Sequence, residues 1–183
     1  DGSLLAPRPA AVKITIAGAS AKIVNRHLTA TVDAKGRVRF FKTGNRRPLV
    51  EEIFARTNYP PSRAFKPVGG DLYHGEACFT AFDDERLYGL GQRRHGLLDQ
   101  KGCVLELTHR NSQISIPLLV SSRGYGLLWH NPGMGRVELG RTQTRWVAEA
   151  TRLIDYVVMT GNGYAGIMER YAVTTDKASG IKN

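Results

Sequence analysis

The segment Glu106-Leu107-Thr108-His109-Arg110-Asn111-Ser112-Gln113 starts as an alternating strand and then surrenders its apolar face to directional polar side chains. Arginine brings five N–H donors, asparagine and glutamine bring donors and an acceptor each, and a neutral histidine brings one of each. Such a set suits a ligand covered in hydroxyls, held in a concave site against an aromatic platform. The competing reading is a polar strand end lying over solvent. Residue types alone favour that simpler reading.

Other chemistry-bearing groups are sparse. Asp83-Asp84-Glu85 is a run of three acids, but glycosidic acid–base work needs two carboxyls facing each other about 5–10 Å apart. Three consecutive acids between strands read as a solvated turn. Glu76, Glu106 and Asp155 stand alone, and nothing marks any of them as catalytic. The histidines at 27, 74, 95, 109 and 130 show no helical i, i+4 pairing, so each reads as an ordinary half-buried residue. Cys78 and Cys103 form no Cys-x-x-Cys or Cys/His cluster, and two buried thiols are expected, with no spacing that requires a bridge. Gly89-Leu90-Gly91 and Gly124-Tyr125-Gly126 are followed by Arg94 and Trp129 where a third glycine would complete a dinucleotide cradle. They read as tight turns or close backbone approaches. No metal and no cofactor is expected.

Composition narrows the class. A chain of 183 residues with 42% hydrophobic and 23% charged residues is one globular domain in size and too apolar for disorder. No apolar run approaches the roughly 18 residues of a membrane-spanning helix. The segment 1–11 is Pro/Ala-rich, lacks the apolar centre of a signal peptide, and reads as a flexible lead-in; the sequence assigns no compartment. The charge of +10 invites a polyanion-binding adaptor, but lysines and arginines are scattered. The densest spots, Asn45-Arg46-Arg47 and Gln92-Arg93-Arg94-His95, carry no interleaved aromatic motif. Neither nucleic acid nor membrane is expected as a partner.

The elements that must position these groups are short and of period two. Val12, Ile14 and Ile16 alternate with Lys13 and Thr15; residues 28–41 form a hairpin around Asp33-Ala34-Lys35-Gly36. Residues 54–72 are interrupted by Tyr59-Pro60-Pro61 and Val68-Gly69-Gly70. Strands are expected at 74–82, 86–90, 103–108, 114–121, 125–129, 135–139, 144–149 and 153–159, the last covered on both sides. Ser122-Arg123-Gly124 joins two of them as a hairpin. One late helix places Tyr164, Ile167, Met168, Tyr171 and Ala172 on one face, with Asn162 as its N-cap. The fold class is all-β, an antiparallel sandwich with one C-terminal helix.

Three ordered blocks add a resemblance. They are Leu87-Tyr88-Gly89-Leu90-Gly91-Gln92, the stretch from Leu107 through His109-Arg110-Asn111-Ser112-Gln113 to Pro117, and Ser121-Ser122-Arg123-Gly124-Tyr125-Gly126-Leu127-Leu128-Trp129-His130-Asn131-Pro132. With Leu98-Asp99-Gln100-Lys101-Gly102-Cys103 and Ile167-Met168-Glu169-Arg170-Tyr171, they resemble the amino-terminal domain of glycoside hydrolase family 31, the α-glucosidase and α-xylosidase family. The likeness covers most of residues 12–178. It implies a galactose-mutarotase-like β-sandwich packed on a (β/α)₈ barrel, with a sandwich loop reaching the sugar pocket. It implies substrate-side roles for His109, Arg110 and Asn111, and a structural role for Gln92. It implies no catalytic residue here, because the family's two aspartates belong to the barrel.

The expected organisation is therefore a lead-in at 1–11, a sandwich at 12–161, a helix at 162–178 leading toward a barrel, and a tail at 179–183 unlike the family. The ending reads as an excised or truncated piece. The chain alone is expected to be inactive, its ligand an α-linked glucoside or xyloside oligosaccharide bound together with the barrel. Self-association through the exposed barrel-docking face is expected as well. A free-standing carbohydrate-binding module is the alternative, and it would need a platform from Tyr59, Tyr73 or Trp146.

Overall fold

The alternating segments do become strands, fourteen of them among the residues that the computed structural model describes, 12–54 and 61–175. The expected lead-in, the tail and Tyr59 lie outside the described residues. In chain order the strands are β1 (Val12–Ala17), β2 (Ser20–Asn25), β3 (Leu28–Val32), β4 (Val38–Lys42), β5 (Val50–Glu51), β6 (Arg63–Gly69) and β7 (Leu72–Thr80). Then follow β8 (Leu87–Gly89), β9 (Val104–Glu106), β10 (Leu118–Ser121), β11 (Tyr125–Trp129), β12 (Gly135–Leu139), β13 (Gln143–Thr151) and β14 (Tyr156–Thr160), before the helix α1 (Gly163–Thr175). They form three antiparallel sheets with orders β1-β2-β3-β4-β5, β14-β11-β10-β8 and β6-β7-β13-β12-β9.

The main core lies between the second and third sheets. Trp129 of β11 and Trp146 of β13 stack across it, ring centroids 5.7 Å apart. Leu87, Leu119 and Leu127 from one side and Ala77, Phe79, Val137 and Leu139 from the other complete it. Such an aromatic pair adds about 1 kcal/mol beyond the area it buries. The opposite face of the second sheet buries Leu118, Val120, Leu128 and Met159 under Ile167 of the helix. Strands β10 and β11 are thus covered on both sides, which is why they read as continuous apolar runs rather than alternations. Gly126 lets the helix sit down: a Cβ there would fall 2.8 Å from Ile167 Cγ2. The helical stripe is narrower than the sequence suggests, because Tyr164 and Met168 remain about half exposed, Tyr164 meeting Tyr88 edge to face.

Several expectations change. Strand β2 was not legible, since Ala21-Lys22-Ile23-Val24 breaks the alternation. Residues 63–69 form β6 despite Pro67, because β6 pairs only with β7 and shifts register between Pro67 and Gly69. An edge strand with a bulge tolerates a residue that lacks an N–H. The expected strand at 114–121 shortens to its last four residues, and Asp155 precedes β14 instead of lying within it.

The acidic run is also not one solvated turn. Asp84 is exposed and pairs with Arg47 and Arg123. Glu85 is only 3% exposed, and its carboxylate accepts hydrogen bonds from Ser121 Oγ at 2.5 Å and Tyr125 Oη at 2.7 Å. Burial beside that carboxylate pushes the Tyr125 phenol well above its ordinary range. A turn residue with two buried donors in reach folds inward, and the run of three acids conceals which one does so.

On the outer face of the third sheet the charges close into a ring. Arg145 donates to Glu76 at 2.8 Å and to Glu138 at 2.9 Å. Arg136 joins Glu138 at 3.0 Å to Glu149 at 2.7 Å. His74 sits between Glu149 and Glu76, at 3.1 and 2.9 Å. Cross-strand pairing puts Val147 opposite both Glu76 and Arg136, and Val147 is fully buried beneath these side chains. Their aliphatic stems supply the cover that a third layer would otherwise give.

Two outcomes follow. The hydrogen bond from Arg145 holds the Glu76 carboxyl below the ordinary carboxylate range. Its stabilisation is therefore complete above the unfolded pKa and vanishes as pH falls through the folded one. Glu76→Gln is expected to be less stable than the parent at pH 7 in urea unfolding, with the gap closing as pH drops from about 4 toward 2. Gly91→Ala should destabilise by about 3 kcal/mol or more by the same measurement, since its Cβ would lie 2.0 Å from Ile114 O at a φ of +91°.

Candidate functional site

The polar segment sits on a loop whose two ends are held and whose tip is exposed. Strand β9 ends at Glu106; Leu107 packs partly buried against the core and donates its N–H to Gly135 O at 2.8 Å. The chain then turns back tightly: Gln113 N–H donates to Arg110 O at 3.0 Å, and Arg110 N–H to Gln113 O at 3.3 Å. Ser112 takes the left-handed conformation this turn demands, with φ of 66°, at a cost of about 1 kcal/mol for a residue with a Cβ. Next, Gln92 N–H donates to Ile114 O at 2.8 Å and Ile114 N–H returns to Gln92 O at 3.3 Å. Ser115 is buried, and β10 starts three residues later. Gln92 thus holds the loop through its backbone, as a structural residue would.

His109, Arg110 and Asn111 are consecutive, exposed, and gathered at one tip. His109 Nδ1 lies 3.5 Å from Ser115 N, a long hydrogen bond in which the ring accepts. Arg110 forms an i, i+4 ion pair with Glu106, both side chains more than half exposed. Asn111 makes no side-chain hydrogen bond among the described residues. A tip of this kind can offer a guanidinium, an amide and an imidazole to hydroxyl oxygens. The one carboxylate on it, Glu106, is occupied by Arg110.

A residue that the sequence did not single out organises the base. Arg93 is half-buried; its Nε and Nη2 donate to Leu90 O at 3.1 and 2.8 Å. Nη1 donates to Glu106 O at 2.9 Å, and Nη2 to Ser115 Oγ at 3.1 Å. The basic cluster at 92–95 was visible in the sequence, but nothing in it said which arginine turns inward.

The platform candidates separate. Trp146 is fully buried in the core and offers no surface to a sugar. Tyr73 is 37% exposed and meets Phe65 edge to face on the β6–β7 ribbon. A groove of about 300 Å³ lies on the first sheet, lined by Thr15, Ala17, Ala21, Thr31, Asp33 and Arg39 among others, so it belongs to a different sheet from the loop. Both cysteines are free thiols; burial raises Cys78 to about 11, and Cys103 is half-buried. Among the described residues, no group of three or more His, Cys, Asp or Glu side chains is arranged to hold a metal ion. No described helix is long and apolar enough to cross a membrane.

The described residues thus form an antiparallel sandwich with one late helix and a polar loop held at its base. No family model matches the chain. It is 32% identical to a protein of Pseudescherichia vulneris described as an uncharacterised family 31 glucosidase, over 94% of this chain and 36% of that protein. It is 31% identical to α-xylosidase A of Aspergillus niger, over 74% of this chain and 19% of the relative. A crystal structure of a family 31 α-xylosidase from a soil metagenome, complexed with xylose, superposes with a TM-score of 0.88. That match is at 35% identity over 96% of this chain and 28% of the other. The chain belongs to glycoside hydrolase family 31, as its amino-terminal β-sandwich domain. It spans about a third of the length of the first of these relatives.

Because the Arg110–Glu106 pair is exposed at both ends, removing it should barely disturb the fold. Arg110→Ala is expected to change unfolding free energy by no more than about 0.5 kcal/mol in urea, so any functional loss at this position reports on the ligand.

Proposed function

We propose that this domain packs on a catalytic (β/α)₈ barrel and lends the tip His109-Arg110-Asn111 to the sugar site of a retaining α-glycosidase, without cleaving sugars itself. The observation that carries the reading is the loop from Leu107 to Ser115. Its ends are fixed by Gly135, Gln92 and Arg93, while its three polar side chains face outward. A merely solvated strand end has no need of such a base. The substrate class, α-xylosides or α-glucosides, comes from the likeness to enzymes so described, one of them complexed with xylose.

The same end of the sandwich carries apolar side chains that suit a docking face. Ile114 and Ile116 follow the loop tip, Met134 leads into β12 and Leu153 leads into β14; each is 40–69% exposed. Register places the connections that carry Ile114, Ile116 and Leu153 at the end of the second sheet where Gly89, Leu118 and Trp129 also lie. Apolar groups clustered beside a polar loop mark an interface better than apolar groups scattered singly. Left uncovered, that end would drive self-association of the isolated domain.

Retaining hydrolysis needs two carboxyls about 5 Å apart across the bond that breaks. In this reading the barrel supplies both, and the sandwich supplies hydrogen bonds to hydroxyls. The isolated domain is expected to release no aryl group from aryl α-xylosides or α-glucosides. In the intact enzyme, Asn111→Ala is expected to raise KM about tenfold with kcat nearly unchanged. Turnover by the domain alone, or an unchanged KM in the variant, would contradict the reading.

A further inference from the structure

We infer that Arg93 is the positioning residue of the sugar-side loop, fastening both of its ends to the Gly89-Leu90-Gly91 turn so that the tip is set before a ligand arrives. The inference rests on the reading above and adds a residue that touches no substrate.

The geometry is that of a staple. The loop leaves the third sheet at Glu106 and rejoins the core at Ser115, and the Arg93 guanidinium reaches both, through Glu106 O and Ser115 Oγ. The same group is anchored by two bonds to Leu90 O. Leu90 is fully buried and takes a positive φ between Gly89 and Gly91. Its N–H is tied to Leu118 O at 2.9 Å. The staple is thus fixed to a buried residue bonded to the edge of the second sheet.

All of these acceptors are uncharged. Burial lowers the Arg93 pKa, and among the described residues no carboxylate is bonded to the guanidinium to offset the lost hydration. A charged group placed so is explained by what its planar fork alone can do, which is to hold three chain segments at once. Lysine, with a compact ammonium, cannot span them. A loop ordered in advance loses less conformational freedom on binding, so the benefit should appear in ground-state affinity.

The test uses the intact enzyme and five variants, Arg93→Met, Arg93→Lys, Ser115→Ala, the Arg93→Met/Ser115→Ala double variant and Asn111→Ala, assayed on an aryl α-xyloside or α-glucoside. Arg93→Met is expected to raise KM about tenfold and Ser115→Ala about threefold, with kcat within about twofold of the parent. The double variant is expected to match Arg93→Met alone, because the serine acts through the arginine. Arg93→Lys should recover little of the loss. Should Arg93→Met fold poorly, Ser115→Ala decides by itself. The inference is overturned if KM is unchanged in Ser115→Ala, or if kcat falls at constant KM, or if the double variant is additive, provided Asn111→Ala does raise KM. An unchanged KM in Asn111→Ala would overturn the reading of the loop and this inference with it.

Discussion

At Gly91 one stretch of backbone lies directly on another, and the candidate site is assembled from that contact. A side chain at this position would enter the Ile114 carbonyl, so its absence allows Gln92 and Ile114 to exchange hydrogen bonds and Leu90 to bond Leu118. Leu90 takes up a left-handed conformation that a non-glycine residue adopts only under constraint, and its full burial supplies that constraint. Arg93, two residues after Gly91, then bonds Leu90, Glu106 and Ser115 together. Turn, clamp and loop form one chain of cause, from a missing Cβ to the placement of three polar side chains.

The two surfaces of the third sheet and the sheet ends divide the labour. On the outer face, three glutamates, two arginines and a histidine satisfy one another around Val147. A face whose charges are already paired has little left to offer a partner. At the loop end the situation is reversed, with exposed Ile114, Ile116, Met134 and Leu153 flanking a tip whose asparagine amide is unoccupied.

Much of this fold was legible because strand burial writes itself in period two. The hairpin at 28–41 and strands β11 and β12 stood out, and the apolar run at 153–159 pointed to cover on both sides, which Val158 in the main core and Met159 beneath the helix supply. What escaped notice had physical reasons. Val68-Gly69-Gly70 looks like a break until β6 is seen to run through to Gly69 as an edge strand with a shifted register. Glu85 looks solvated until Ser121 and Tyr125, far along the chain, bring their hydroxyls to it. The three tip residues were singled out from their donor and acceptor types and from the family resemblance. Arg93 was not, because its role lies in three carbonyl and hydroxyl oxygens that only the folded chain brings within reach.

The loop's base belongs to the rigid core, while its tip is turned and set but exposed to solvent. Native-state amide hydrogen exchange of the domain, read residue by residue, tests this most directly. Leu90 and Gln92 amides should exchange only with global unfolding, like those of β10 and β11, while the amides of Asn111 and Ser112 exchange rapidly. Exchange at Leu90 and Gln92 as fast as at the tip would mean that the base opens on its own, and the account of a pre-set loop would fail.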